Sequence, residues 1–494
     1  MRRQRGSNAA LAGNAEPSAA AGGGVWTDAD FVKLWAGETV SLIGTQITLF
    51  ALPLVAILTL HASVFEVGLL NACRTAPTVV VSLFAGVWLD RRRRRPILIA
   101  CSLANSALIA VVPISYALGL LNIAVLYVVS LTVGVLSVVF DIGVMTYVPT
   151  LVERRHLADS NSKIQASTSL SLVAGPGLAG AMVGALSAPV TLTADAVSYL
   201  CSAIGLISIR KPEQPPEIPA VRPSVRSSIA EGIRAVYGSP ILRSLLNLAA
   251  TFNFVQAGFI TIFVVYGVRI LHLSPFKLGL VLGAIAVGGI LGAMLSNRIS
   301  PIFGIGPTML AGLCGATLCP LVLLIPRDGS VASMALMIGT ELLYGFGVLS
   351  FNVITVTVRQ TVTPNRLLGR MNASYRMVLF GMAPLGAALA GYLGEHFGLR
   401  TALVIAVVAF PSAILWTISS PVVRMREMPP GPVEDQAAVA IIESAGAVTD
   451  EPNIAPPAGI AERAQREGAV RARSHASNSV AVSTSTEMEE VRDE

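Results

Sequence analysis

From Phe31 onward the chain alternates long apolar runs with short polar breaks, and that alternation leaves few folds open. Twelve runs lie near 31–58, 65–89, 97–118, 122–148, 163–187, 190–209, 241–269, 275–298, 306–326, 331–358, 371–395 and 400–420. Each approaches the ~20 residues that a helix needs to cross ~30 Å of hydrocarbon. No water reaches a free N–H or C=O inside lipid, so runs of this length are expected as helices and not as strands. Composition agrees. Of 494 residues, 53% are hydrophobic and only 13% charged, where a soluble domain carries about 25% charged residues. The expected fold class is an all-α membrane protein with twelve transmembrane helices.

The loop Gly86-Val-Trp-Leu-Asp90-Arg91-Arg-Arg-Arg-Arg95-Pro96 separates the second run from the third. Lys and Arg in short loops stay on the cytoplasmic side, so these five arginines set the orientation. With the N-terminus inside, the breaks after odd-numbered spans face out and contain Arg327 alone, with Arg269, Lys277 and Arg400 flanking them. The opposite breaks hold Arg91 to Arg95, Arg154, Arg155, Arg210, Lys211, Arg222, Arg226, Arg234, Arg366 and Arg370. Both termini are therefore expected in the cytoplasm. The formal charge of +6 follows from this sidedness and is no nucleic-acid footprint.

Five domains are expected. Residues 1–30 form a disordered cytoplasmic start without the apolar core of a signal peptide. Residues 31–209 form a first six-helix bundle. Residues 210–240 form a proline-rich cytoplasmic linker that turns amphipathic through Ile229, Ile233 and Val236. A second bundle covers 241–420, and a disordered tail rich in Ala, Pro, Glu and Ser covers 421–494. The bundles repeat weakly: Pro176 and Gly180 return as Pro384 and Gly391, and Asn161 as Asn372, about 207 residues on, as in many secondary transporters.

Five cysteines (Cys73, Cys101, Cys201, Cys314 and Cys319) lie in or beside apolar runs without a CxxC, and the histidines form no metal-spaced pair. Gly175-Pro-Gly177-Leu-Ala-Gly180 matches G-x-G-x-x-G literally, but it lies inside an apolar run, whereas a dinucleotide site needs a strand before the glycines. The glycines instead allow close helix approach and Pro176 a bend. No metal, cofactor, nucleotide or nucleic acid is expected, and the chain is not expected to be an enzyme.

The chain resembles the major facilitator superfamily, and within it the bacterial exporters grouped with the enterobactin and macrolide efflux proteins. The matching residues are Trp35-Ala-Gly37, Ser41-Leu-Ile-Gly44, Gly86 through Arg91, Phe140-Asp141 and Pro149-Thr-Leu-Val152. Further matches are Gly175 through Gly180, Asp195-Ala-Val-Ser-Tyr199, Arg359-Gln360, Gly369-Arg370 and Pro384-Leu-Gly386. The resemblance implies two six-helix bundles that alternate access to one central cavity. It implies gating by Gly86, Asp90, Arg91, Arg94 and Arg95, with the acid and cations bound to neighbouring helix ends in the outward-open state. It extends gating to the Gly-Pro motif of Gly175, Pro176 and Gly180. The chain departs from the family pattern at Arg93, where Gly is usual.

A charge at mid-bilayer costs about 2.5–3.5 kcal/mol on insertion scales, so each needs a partner or a task. The resemblance places the first, fourth, seventh and tenth helices on the cavity and so selects Glu38, Asp141 and Glu341 as proton-coupling candidates. Glu341 lies ~15 Å into its span at ~1.5 Å per residue, with no basic residue at that depth. It is either a proton carrier or a permanently neutral, hydrogen-bonded acid. Asp141 is expected to pair with an arginine, Glu38 with Arg74 as one alternative. Arg359 and Arg376 are expected to snorkel from helix ends, and Asp195 to pack helices. Thr45, Gln46, Asn253, Gln256, Tyr344 and Asn352 are the cavity candidates; with Phe252, Phe259 and Phe346 they sketch an amphipathic lining, although such aromatics can equally face lipid. The expected function is proton-coupled efflux of a drug-like or siderophore-like molecule by a monomer in a bacterial inner membrane. The alternatives are a lipid flippase or solute importer of the same fold, or a transport-inactive receptor or scaffold.

Overall fold

The computed structural model describes residues 25–89, 91–213, 225–364 and 367–426. Asp90, most of the N-terminal segment, the middle of the linker and the tail from 427 lie outside the described residues. The described chain is helical, and twelve helices are long and apolar enough to cross a membrane. The first half contains α1 (Ala29–Leu54), α2 (Val64–Thr75), α3 (Pro77–Leu89), α4 (Arg94–Ala117), α5 (Ile123–Leu151), α6 (Leu157–Leu186) and α7 (Ala188–Ile207). The linker contributes α8 (Val225–Gly238). The second half contains α9 (Pro240–Arg269), α10 (Pro275–Phe303), α11 (Ile305–Leu318), α12 (Val331–Val362), α13 (Leu368–Phe397), α14 (Leu399–Ala409) and α15 (Ser412–Ile418). Helices α2 and α3 together make the second span, broken at Pro77, and α14 with α15 make the twelfth.

Local chemistry sets the helix ends. Asp28 caps α1 by accepting from the amides of Asp30 and Phe31. Ser63 and Glu66 form a reciprocal capping box at α2. Ser239, Ser274 and Ser330 cap α9, α10 and α12 with their hydroxyls. The expected spans match the observed ones except at the start of α6, which begins at Leu157 instead of near 163. There the Leu-Ala-Asp-Ser-Asn-Ser-Lys stretch is too polar to register as apolar, yet it stays helical and Asp159 pairs with Lys163 one turn later. The amphipathic linker helix also forms. Val236 packs with Leu242, Leu246, Met371 and Tyr375, so its apolar face meets α9 and α13 of the second half.

Within the first half α1 packs on α6 and α7, and α4 on α5 and α7; within the second, α9 packs on α13, α10 on α12 and α11 on α12. Two seams join the halves, α2 with α13 and α6 with α10. Both are close at the end of the bundle away from Arg91–Arg95. A Cβ on Gly68 would lie 2.7 Å from the Ala387 carbonyl oxygen and 2.9 Å from Gly391 Cα. One on Gly180 would lie 2.5 Å from the Pro275 oxygen. Only glycine allows backbones to meet this closely. Polar contacts reinforce the same end: Glu395 accepts from the Val64 amide at 3.0 Å, Asn71 donates to Thr261 Oγ1 at 3.1 Å, and Arg269 donates to the Ala62 carbonyl.

The arginine end is different. One apolar cluster joins the halves toward the opposite end, through Leu54, Val67 and Leu192 with Ile262, Phe263 and Phe410, and continues within the second half alone to Ile305 and Val422 at the arginine end. At the arginine end the first half keeps its own core of Phe31, Leu98, Tyr147 and Leu206, and the second half the one around Val236. Gly381 still meets Val79, its Cβ position 3.6 Å from a Val79 methyl. Beyond that level, Cβ positions on Gly86 of α3 and Gly369 of α13 meet nothing within 4 Å. Among the described residues the halves are closed at one end and parted at the arginine end.

Candidate functional site

Three charged residues stand at one depth where the halves part. Counting ~1.5 Å per residue from the arginine end, Glu38 on α1 lies at about 13 Å, Asp141 on α5 at about 15 Å and Arg376 on α13 at about 12 Å. Asp141 is exposed, as is Arg376, whose guanidinium sits 5.6 Å over the Phe380 ring. Glu38 lies within repulsive reach of Asp141, and Asp141 within attractive reach of Arg376, with no ion pair at contact distance among the described residues. Glu38 keeps its Oε2 buried without a hydrogen-bond partner. Among the described residues it makes no ion pair with Arg74. The arrangement can hold one or two protons on the acids, trade them for a cationic group, or close by drawing Arg376 onto Asp141.

The gating candidates divide. Arg91, like Arg92 and Arg93, is exposed. Arg94 and Arg95 are anchored within the first half. Glu213, where the linker begins, accepts from their amides at 2.7 and 3.1 Å and pairs with the Arg94 guanidinium at 3.8 Å, so it caps α4. Arg95 donates to the Leu206 and Ile207 carbonyls at 3.0 and 2.9 Å, at the end of α7. Gly86 faces open space, and Asp90 lies outside the described residues. Gly175 lies against Gln46 of α1, whereas Pro176 and Gly180 lie in the seam with α10, the Pro176 carbonyl against Gly279.

The other candidates sit deeper. Glu341 has no exposure, and neither carboxylate oxygen has a hydrogen-bond partner. Tyr344 is 2% exposed, lies in an aromatic cluster with Phe252, Phe259 and Phe410, and accepts from Gln256 Nε2 at 2.8 Å. These aromatics therefore fill the core of the second half; Phe252 and Phe259 are as buried as Tyr344. Asn253 donates to the Ala249 carbonyl of its own helix at 3.0 Å, Thr45 shares a 3.2 Å hydrogen bond with the Tyr199 hydroxyl, and Asn352 is exposed. Arg359 covers the Tyr375 ring at 4.0 Å. Sequence reading assigned Arg376 to a helix end. Its position opposite Asp141 depends on how the two halves pack, which no local pattern encodes. Glu213 carried a weak signal, as an isolated acid shortly after a membrane span. Among the described residues no group of three or more His, Cys, Asp or Glu is placed to hold a metal.

Two helical bundles joined by two seams, with charged residues facing one another where the bundles part, define a membrane transporter. The family model for the Major Facilitator Superfamily matches residues 34–383, and the chain belongs to that superfamily of transporters. It is similar to the multidrug efflux pump Tap of Mycolicibacterium fortuitum, 26% identical over 81% of this chain and 95% of that protein. It is also similar to the enterobactin exporter EntS of Citrobacter koseri, 24% identical over 74% of this chain and 85% of that one. Among solved structures, a bacterial homologue of the human lysosomal transporter Spinster, inward-facing and unoccupied, superposes with a TM-score of 0.63 at 16% identity. That match covers 83% of this chain and all of the other. The protein is a multi-pass inner-membrane transporter and not an enzyme.

Proposed function

We propose that this transporter exports an amphipathic small molecule, drug-like or siderophore-like, in exchange for protons, by alternating access. The observation that carries the reading is the Glu38–Asp141 pair facing Arg376 across the gap between the halves. Similarity to a multidrug pump and an enterobactin exporter supports the substrate class. We place the arginine end in the cytoplasm by the positive-inside rule, which makes the described state inward-open, with its acids accessible to substrate from the cytoplasm. Each proton entering down 100 mV supplies ~2.3 kcal/mol, and that energy drives export when proton and substrate alternate on the same acids. Glu341 is a second proton candidate, buried in the other half.

The test uses everted membrane vesicles with an acid interior, challenged with ethidium, tetraphenylphosphonium and enterobactin while a pH dye reports the lumen. At least one compound should release protons. Asp141→Asn and Glu38→Gln should abolish that release, and Glu341→Gln run in parallel measures the share of the second half. Wild-type vesicles that take up a compound without releasing protons would refute proton exchange.

A further inference from the structure

The first half contains a buried polar seam that reaches well beyond the charged site. On α1, Glu38, Ser41, Thr45 and Thr48 follow at spacings of three and four residues and so share one helix face. That face meets Asp195, Ser198, Tyr199 and Ser202 of the antiparallel α7. Thr48 donates to Asp195 Oδ2, Ser198 donates to Asp195 Oδ1 at 2.9 Å, and Thr45 bonds the Tyr199 hydroxyl at 3.2 Å. The Tyr199 hydroxyl also reaches Ser137 of α5 and lies within electrostatic range of both Asp195 and Asp141. Glycines hold the two backbones together: a Cβ on Gly44 would collide with Asp195 and Ser198, and one on Gly37 would lie 3.1 Å from Ser202 Cα. Thr48 is ten residues from Glu38, so the seam spans about 15 Å of the membrane. Asp195 itself has no exposure. Among the described residues its carboxylate has two hydroxyl donors and no cation in contact, and Arg74 of α2 lines the same small cavity as its donor Thr48. On the other side of α7, α4 presents Ser102, Asn105 and Ser106, and its charged residues, Arg94 and Arg95, are at the arginine end, as are Asp159 and Lys163 of α6.

Small and hydroxyl residues suffice for a helix-packing contact in a membrane, and an ionisable residue buried there is a functional-site candidate by default. We propose that Asp195 is a further proton station, loaded from the end opposite the arginines, and that protons pass from it to Asp141 and Glu38 by way of the hydroxyls of Thr48, Thr45, Tyr199 and Ser137. Every hydroxyl both donates and accepts; hydrogen bonds join Asp195 to Thr48 and Tyr199 to Thr45 and Ser137, and a water molecule accepts and passes on the proton at the two remaining steps, Thr48 to Thr45 and Ser137 to the acids. The net change is one proton lost by the Asp195 carboxylic acid and one gained by the Asp141 or Glu38 carboxylate. This rests on the proton-exchange reading and adds the route.

The experiment compares wild type, Asp195→Asn, Asp195→Glu and Tyr199→Phe, each as the full chain at matched expression, with tetraphenylphosphonium as the probe. Two rates are read: substrate-driven proton release, and exchange of labelled for unlabelled probe without any pH gradient. The route predicts that Asp195→Asn loses proton release and keeps exchange, that Asp195→Glu restores release, and that Tyr199→Phe slows release alone. Unchanged release in Asp195→Asn would overturn the route and leave proton exchange intact. Loss of both rates in Asp195→Asn would make Asp195 a structural clamp between α1 and α7, which also overturns it. A wild type that exchanges probe without releasing protons would remove the proton-exchange reading itself, and the route with it.

Discussion

Glu341 is a fully buried acid with neither carboxylate oxygen hydrogen-bonded. A buried polar group without partners costs about 1–3 kcal/mol, and both Glu341 oxygens are in that position. Glu341→Leu should therefore raise the unfolding temperature of the purified protein. An unchanged or lower temperature would mean that the carboxyl finds a partner when the chain is in lipid. Glu341 also shows how far single residues were legible. Its depth followed from counting along an apolar run. The core position of Tyr344 did not, because an aromatic lining a cavity and one filling a bundle core leave the same trace in a sequence. Arg376 needed the second half to be docked on the first before its relation to Asp141 could be seen.

At the scale of helices, glycine seams and caps decide which end is closed. Adding a Cβ at Gly391, which approaches Gly68 Cα and the Val64 oxygen at 3.1 Å, should push α13 away from α2. Gly391→Val is expected to shift the population toward the state closed at the arginine end. Spin labels at Gly86→Cys and Gly369→Cys, both in open space here, should then report a shorter distance than in the parent. An unchanged or longer distance would show that this seam does not control the opposite end. Glu213 acts on one helix. Glu213→Ala should cost about 1 kcal/mol through the lost cap of α4, read as a lower unfolding temperature, and Glu213→Gln should recover part of it. If Glu213→Ala unfolds at the parent temperature, the cap is replaced by water. The span boundaries were legible because hydropathy is local. The early start of α6 was not, because helix continues past the bilayer wherever side chains such as Asp159 and Lys163 support it.

For the whole molecule, twelve spans and two halves were readable from apolar runs and a weak internal repeat, and membership of the superfamily agrees with both. Which end is open was not readable, since the same sequence must support both states and the difference lies in how the halves pack. A parted arginine end, separate cores for the two halves there, and facing charges at one depth are all consequences of that packing among the described residues. The most direct test reconstitutes the purified full chain in proteoliposomes with an imposed pH gradient as the sole energy source and follows tetraphenylphosphonium. The account predicts accumulation against its concentration gradient, collapsed by a protonophore, and mere equilibration in Asp141→Asn. Accumulation that survives the protonophore, or that Asp141→Asn supports as well as the parent, would contradict it.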